Sequence, residues 1–220
     1  MKKLLSLLLV FALCASMILA LNACDLNDAK GNLEELNEEE WKEALSAPNF
    51  ENVTIRYEYE NQGSFQKQVM KTTKKGVYRS IEVYENKDAE KPLSKFGTYL
   101  EGEDAATQRN LFLSTFLGIV ENRENFKYDE ETKVYTADDV EIRIDQAPGV
   151  YVVENVKNGK LKFSKDGNVE EFICTLTESI YYNDKLKESA TIDVIWHFSD
   201  FGTTEISEAE QQETSSAFGA

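Results

Sequence analysis

The sequence predicts an α+β fold: a large curved antiparallel β-sheet, a half-barrel, with a short N-terminal helix and one apolar mid-chain helix packed on the concave face. Three observations carry that expectation. From Asn52 onward, apolar and polar residues alternate in short runs separated by Gly, Asn and Asp turns, the signature of half-buried strands joined by hairpins. The alternation breaks once, over 103–122, into a proline-free helical segment. A sheet of about ten such strands twists and coils, so its concave side needs filling, and this helix is the filler.

The chain opens on Met1-Lys2-Lys3, and from Leu4 to Leu21 it is almost entirely apolar, with no charge before Asp25. A positive head, an apolar run and small residues at its exit form an export signal. A permanent membrane helix and a plainly cleaved signal are the alternatives, since the run is just long enough to span a bilayer. Leu21-Asn22-Ala23-Cys24 resembles the lipobox of bacterial lipoproteins, with Leu three residues before the cysteine and a small residue directly before it. Asn22 departs from that pattern, and Cys14, inside the apolar run, fits it less well. The resemblance implies that 1–23 is a lipoprotein signal peptide and that Cys24 carries a diacylglycerol thioether. The membrane is then a partner through the Cys24 anchor, and the chain sits on the outer face of the cytoplasmic membrane. Two or more acyl chains suffice for stable anchoring.

Residues 24–36 read as a flexible tether, 37–207 as a single domain and 208–220 as a disordered tail. Asn37 followed three residues later by Glu40 matches a capping box and starts a helix over 38–45, which Pro48 ends. In NVTIRYEYE, Val53, Ile55, Tyr57 and Tyr59 share one face. Strands follow over 64–75, 77–85 and 95–101. The helix over 103–122 is polar at first and apolar nearly all round in its second half, so it wants burial on more than one side. Strands resume at 133–137, 140–145 and 150–156. Asn158-Gly159 has the composition of a tight hairpin turn into 160–164, Asp166-Gly167 marks a second turn, and 169–182 and 189–199 close the sheet through Asn183-Asp184. In the last strand Ala190, Ile192, Val194, Trp196 and Phe198 share one parity.

The formal net charge is −16, and without residues 1–23 the chain keeps 22 basic against 40 acidic residues, a net −18. That balance excludes nucleic acid, which needs a basic footprint, and flat docking on anionic headgroups. With Cys24 acylated and Cys14 removed, only Cys174 remains, so no internal disulfide forms and the fold stands on its apolar core. Cys174 lies in an apolar strand and reads as a buried small hydrophobe.

The lipobox, a short first helix, long hairpins, one apolar mid-chain helix and a last strand running into Ser199-Asp200-Phe201-Gly202 together resemble the LolA/LppX–LprG type of lipoprotein carrier. The resemblance implies a half-barrel whose apolar cavity binds a lipid or acyl-chain ligand. Ile55, Tyr57, Ile192, Val194 and Trp196 would wall it from the strands, and Phe112, Phe116, Leu117 and Val120 from the helix. The same residues equally fit a solid core, because pocket linings are mostly apolar. On that reading the domain is a tethered module engaging a protein or glycan through a face or through loops 85–92 or 128–133.

Chemistry-bearing motifs are scarce. His197, the one histidine, falls on the outward parity of the last strand with no relay partner near it in sequence. Asp166-Gly167 and Asp138-Asp139 lack the oxygen spacing of a calcium loop. No metal-ligand, nucleotide-binding or redox signature occurs, so the sequence implies no catalytic residue, no metal and no cofactor, and a non-enzyme is the expectation.

Overall fold

The computed structural model describes residues 35–61 and 63–213. The predicted signal segment, Cys24 and most of the tether lie outside them, as does 214–220.

Ten strands pair in one antiparallel sheet: β1 (Val53–Asn61), β2 (Ser64–Thr72), β3 (Gly76–Tyr84), β4 (Ser94–Glu101), β5 (Lys127–Asp129), β6 (Val134–Ala137), β7 (Val140–Ala147), β8 (Val150–Phe163), β9 (Val169–Tyr182) and β10 (Lys185–Ser199). The described α-helices are α1 (Glu38–Ala44), α2 (Gly102–Val120) and the single turn α3 (Glu208–Gln211). The sheet is open and curled, as the sequence predicts. Its order is β4-β3-β2-β1-β10-β9-β8-β6-β5, with β7 beside the first half of β8.

That order places α2. Two meanders meet at the centre, where β1 pairs with β10, Tyr57 opposite Trp196 and Ile55 opposite Phe198. The connection from β4 to β5 therefore runs from one edge of the sheet to the other. Nine strands side by side would span about 38 Å if flat. The 19 residues of α2 reach about 28 Å, the chord of a curled sheet rather than its flat width. Gly102, at φ +61, turns the chain directly from β4 into α2.

The closed end of the half-barrel is aromatic. Phe116, fully buried, lies within 4.8–6.4 Å, ring centre to ring centre, of Phe50, Phe172, Trp196 and Phe198. Trp41 of α1 packs on Phe126, Tyr135 and Phe163. Its indole N–H donates to the Val120 carbonyl at 2.9 Å, satisfying one of the carbonyls that end α2. Asn37 and Glu40 form the predicted capping box of α1. The apolar core is built from residues between Leu36 and Phe201, and Cys174 is buried within it.

Four local expectations change. Asn158-Gly159 is no hairpin: β8 continues through it for 14 residues, Asn158 takes φ 53, and the register with β9 slips between Lys157 and Lys160. A left-handed residue followed by glycine serves a bulge as readily as a turn. Here β7 pairs with the stretch before it and β6 with the stretch after it. The segment 128–133, read as a loop, begins as strand: Tyr128 and Asp129 belong to β5, which pairs with β6 across a turn that Asp129 caps by accepting from the Glu131 and Thr132 N–H groups. The last strand starts at Lys185, four residues earlier than its alternation suggests, because Asn183 (φ 48) and Asp184 (φ 60) make a tight two-residue turn. Residues 208–211, expected to fray, form α3, whose Ser207–Glu210 capping box is closed. Lys71 donates to Glu210 at 2.8 Å, Tyr78 OH to Glu213 at 2.8 Å, and the Tyr99 N–H to the Glu213 carbonyl. This segment lies on the convex side of β2–β4.

Candidate functional site: the open half of the concave face

Strand parity fixes which side chains enter the concavity. On β1 these are Val53, Ile55, Tyr57 and Tyr59, and on β10 Ala190, Ile192, Val194, Trp196 and Phe198, as alternation predicts. The structure places all nine predicted lining residues in or against the apolar core. They divide into two groups. Ile55, Phe116, Val120, Val194 and Trp196 are buried, locked among the rings of the closed end. Tyr57, Phe112, Leu117 and Ile192 are half-buried. Leu117 belongs to a separate groove of about 370 Å³ between α1 and α2, lined with Trp41, Lys42, Leu45, Gly118 and Glu121.

The other three mark the flank of α2 that looks toward the hairpin tips. Phe112 meets Tyr57 edge-on, ring centres 6.2 Å apart. Beyond them the inner face stays partly open. Ile81 and Val83 on β3, Ile142 and Ile144 on β7 and Ile180 on β9 are half-buried on the inward parity, and Phe96 on the β4 edge is exposed. Leu111 on the same helix is 64% exposed.

Polar groups stand on both sides of this mouth. On the β2–β3 side, Arg79 donates to Gln68 Oε1 at 2.8 Å, lies over the Phe112 ring at 5.6 Å, and reaches Gln108. Its Nε is buried without a partner, and desolvation lowers its pKa. On the other side, Glu154 of β8 stands directly opposite Glu178 of β9. Glu154 is 3% exposed and accepts from Thr115 Oγ1 of α2 at 3.0 Å, while its Oε2 is buried without a partner. Burial, and next the nearby Glu178, push its pKa up to about 7, against the hydrogen bond from Thr115. Burial followed by Glu188 also raises Glu178. The Tyr57 hydroxyl is raised by desolvation first, then by Tyr59, Cys174, Glu154 and Glu178. The mouth is thus an apolar floor between one guanidinium and a pair of facing carboxyls. The sequence reading passed over Glu154, Glu178, Thr115 and Gln68. The signal was there: both glutamates sit on the apolar parity of their strands.

Elsewhere the polar chemistry is structural. His197 lies on the convex face as predicted, but the fold supplies a partner the sequence hides: Glu171, opposite on β9, is 3.0 Å from its Nδ1. Among the described residues no group of three His, Cys, Asp or Glu side chains is placed to hold a metal ion. None of the described helices is long and apolar enough to cross a membrane. Comparison with protein-family models, with curated proteins and with solved structures gave no match to this chain, so its chemistry rests on the geometry above.

Proposed function

We propose that the chain is a bacterial lipoprotein, anchored through Cys24 to the outer face of the cytoplasmic membrane, whose domain binds a lipid or acyl-chain ligand on the open half of its concave face. One observation carries the reading. Inward-facing apolar residues of β1, β3, β7, β9 and β10 stay half-exposed beside α2, although the same face is tightly packed at the closed end. Apolar surface left open in a concavity is where apolar ligands bind. The lipobox resemblance supplies the location, and the carrier resemblance supplies the ligand class.

Native mass spectrometry, with organic extraction, of the chain expressed from Asp25 tests the reading. That chain retains the whole core between Leu36 and Phe201. The expected result is a co-purifying or added lipid at one per chain, lost in Ile192→Asp. A lipid-free protein that takes up no acyl probe overturns it. Globomycin-sensitive processing and metabolic labelling of Cys24 with an alkynyl fatty acid test the anchor separately.

A second reading draws on the convex face. Tyr151 and Tyr181 stack there with ring centres 4.9 Å apart, and the Arg143 guanidinium lies 3.7 Å from the Tyr151 ring. Beside them run the hydroxyl pairs Thr177–Thr191 and Ser179–Ser189. An aromatic and hydroxyl-rich surface suits a glycan, and retention on peptidoglycan that Tyr181→Ala abolishes would support it.

A further inference from the structure

We propose that the concave mouth is selective for an amine-bearing amphiphile, with its primary ammonium on the Glu154–Glu178 pair and its apolar body over Tyr57, Phe112 and Ile192. This rests on the reading of the mouth as a hydrophobic-ligand site and names the chemistry of the ligand's head.

The argument starts from the unpartnered oxygen. Glu154 is 3% exposed, and its Oε2 has no hydrogen-bond donor. A buried acceptor left unpaired has lost its hydration without replacement, at a greater cost still if charged, so its position calls for an N–H or O–H group arriving from the mouth. The surroundings decide which. Glu178 stands opposite Glu154, and Glu188 on β10 lies one position further along the same face, opposite Ile180. Three carboxyls on adjacent strands make this wall acidic. Thr115 of α2 occupies the other Glu154 oxygen, and the neighbour on β7 is Ile142, which offers no charge. The Arg79 guanidinium is held by Gln68 and Phe112 on the other side. An alcohol would give Glu154 a donor but leave the negative charge unbalanced. A carboxylate would meet three like charges. A primary ammonium supplies both the donor and the charge. The chain as a whole, at −16, attracts cations to this mouth at long range.

Isothermal titration calorimetry of the chain from Asp25 with decylamine, decanol, decanoate and decyltrimethylammonium, below their micellar concentrations and in physiological salt, tests this at about pH 8, where Glu154 is ionised. Decylamine is expected to bind one per chain and at least about tenfold tighter than decanol, equivalent to about 1.4 kcal/mol. That preference should vanish in Glu154→Gln and survive in Glu103→Gln, which removes an equal charge on the exposed first turn of α2. Equal binding of decylamine and decanol overturns the head-group inference and leaves the acyl site standing. So does a preference for decanoate, or equal binding of decyltrimethylammonium, which has no N–H to give. Amine preference that persists in Glu154→Gln, with an unchanged melting transition, places the cation elsewhere and also overturns it. Failure of all four probes removes the site itself.

Discussion

Glu154 is the residue at which the interior departs most from an apolar sheet. Its neighbours on the same parity of β8 are Val152 and Val156, both buried, and a carboxyl between them is stable only while it is neutral or partnered. Its raised pKa, about 7, fixes the sign of a stability effect. The unfolded chain loses this proton near the ordinary carboxylate value of 4.5, and the folded chain holds it to about 7. Stability from this group is therefore complete below the unfolded value and is lost as the pH rises through the folded one. Glu178 shifts in the same direction. Urea unfolding at about pH 5 and pH 8 should show a loss of up to about 3 kcal/mol, and Glu154→Gln should remove most of it. Groups with lowered pKa values, such as Glu82 and Glu210, act below this window. A wild-type stability that stays flat from pH 5 to 8 would contradict the burial argument. At this scale the sequence was readable, since parity alone places Glu154 and Glu178 among valines, phenylalanine and leucine. The reading failed because 40 acidic residues make any single one look ordinary until its face is known.

At the scale of elements, α2 has two flanks with two tasks. Leu113, Phe116, Ile119 and Val120 point into the closed end and are at most 2% exposed. Phe112 stands on the other flank, half-buried against Tyr57. Phe116→Ala should cost about 3–5 kcal/mol in urea unfolding, because the ring leaves a cavity among four other aromatic rings. Phe112→Ala should cost about 1–2 kcal/mol, since the ring is only partly buried, and should weaken acyl-probe binding much more than Phe116→Leu does. Equal stability losses at the two positions would show that α2 is buried alike on both sides. The all-round apolar pattern of this helix announced burial on more than one face but could not show that one flank stays partly wet. The β8 bulge teaches a similar lesson. Asn158-Gly159 specifies a left-handed step, and whether the chain reverses there or continues depends on which strands lie alongside.

At the scale of the molecule, the order of the strands does the work. Because β4 and β5 end at opposite edges, the helix between them crosses the concave face and divides it into a packed end and an open one. The C-terminal segment adds a second cover. Glu210 and Glu213 bind Lys71, Tyr78 and the β4 edge at Tyr99, and Glu213 lies so close to Gly97 that an added Cβ there would stand 1.6 Å from its carboxylate. Ending the chain at Ile206 should cost about 1 kcal/mol, because the lost pairs are partly exposed. It should also speed amide exchange at Tyr99 while leaving the central β9–β10 pairs protected. Unchanged exchange at Tyr99 would mean that the edge is held without this segment.

By itself, the sequence determined the α+β class, the position of nearly every strand, the capped first helix and the residues that face inward. Each of these follows from local rules: a period of two, a period near four, and turn residues with left-handed backbones. The tertiary structure decided the rest. Which strands pair centrally, where α2 lies across them, and which inward residues end in a ring-filled core rather than at an acidic, half-open mouth depend on contacts between residues far apart in the chain. Tyr57 meets Trp196, and Thr115 meets Glu154, through a curvature that no local pattern encodes.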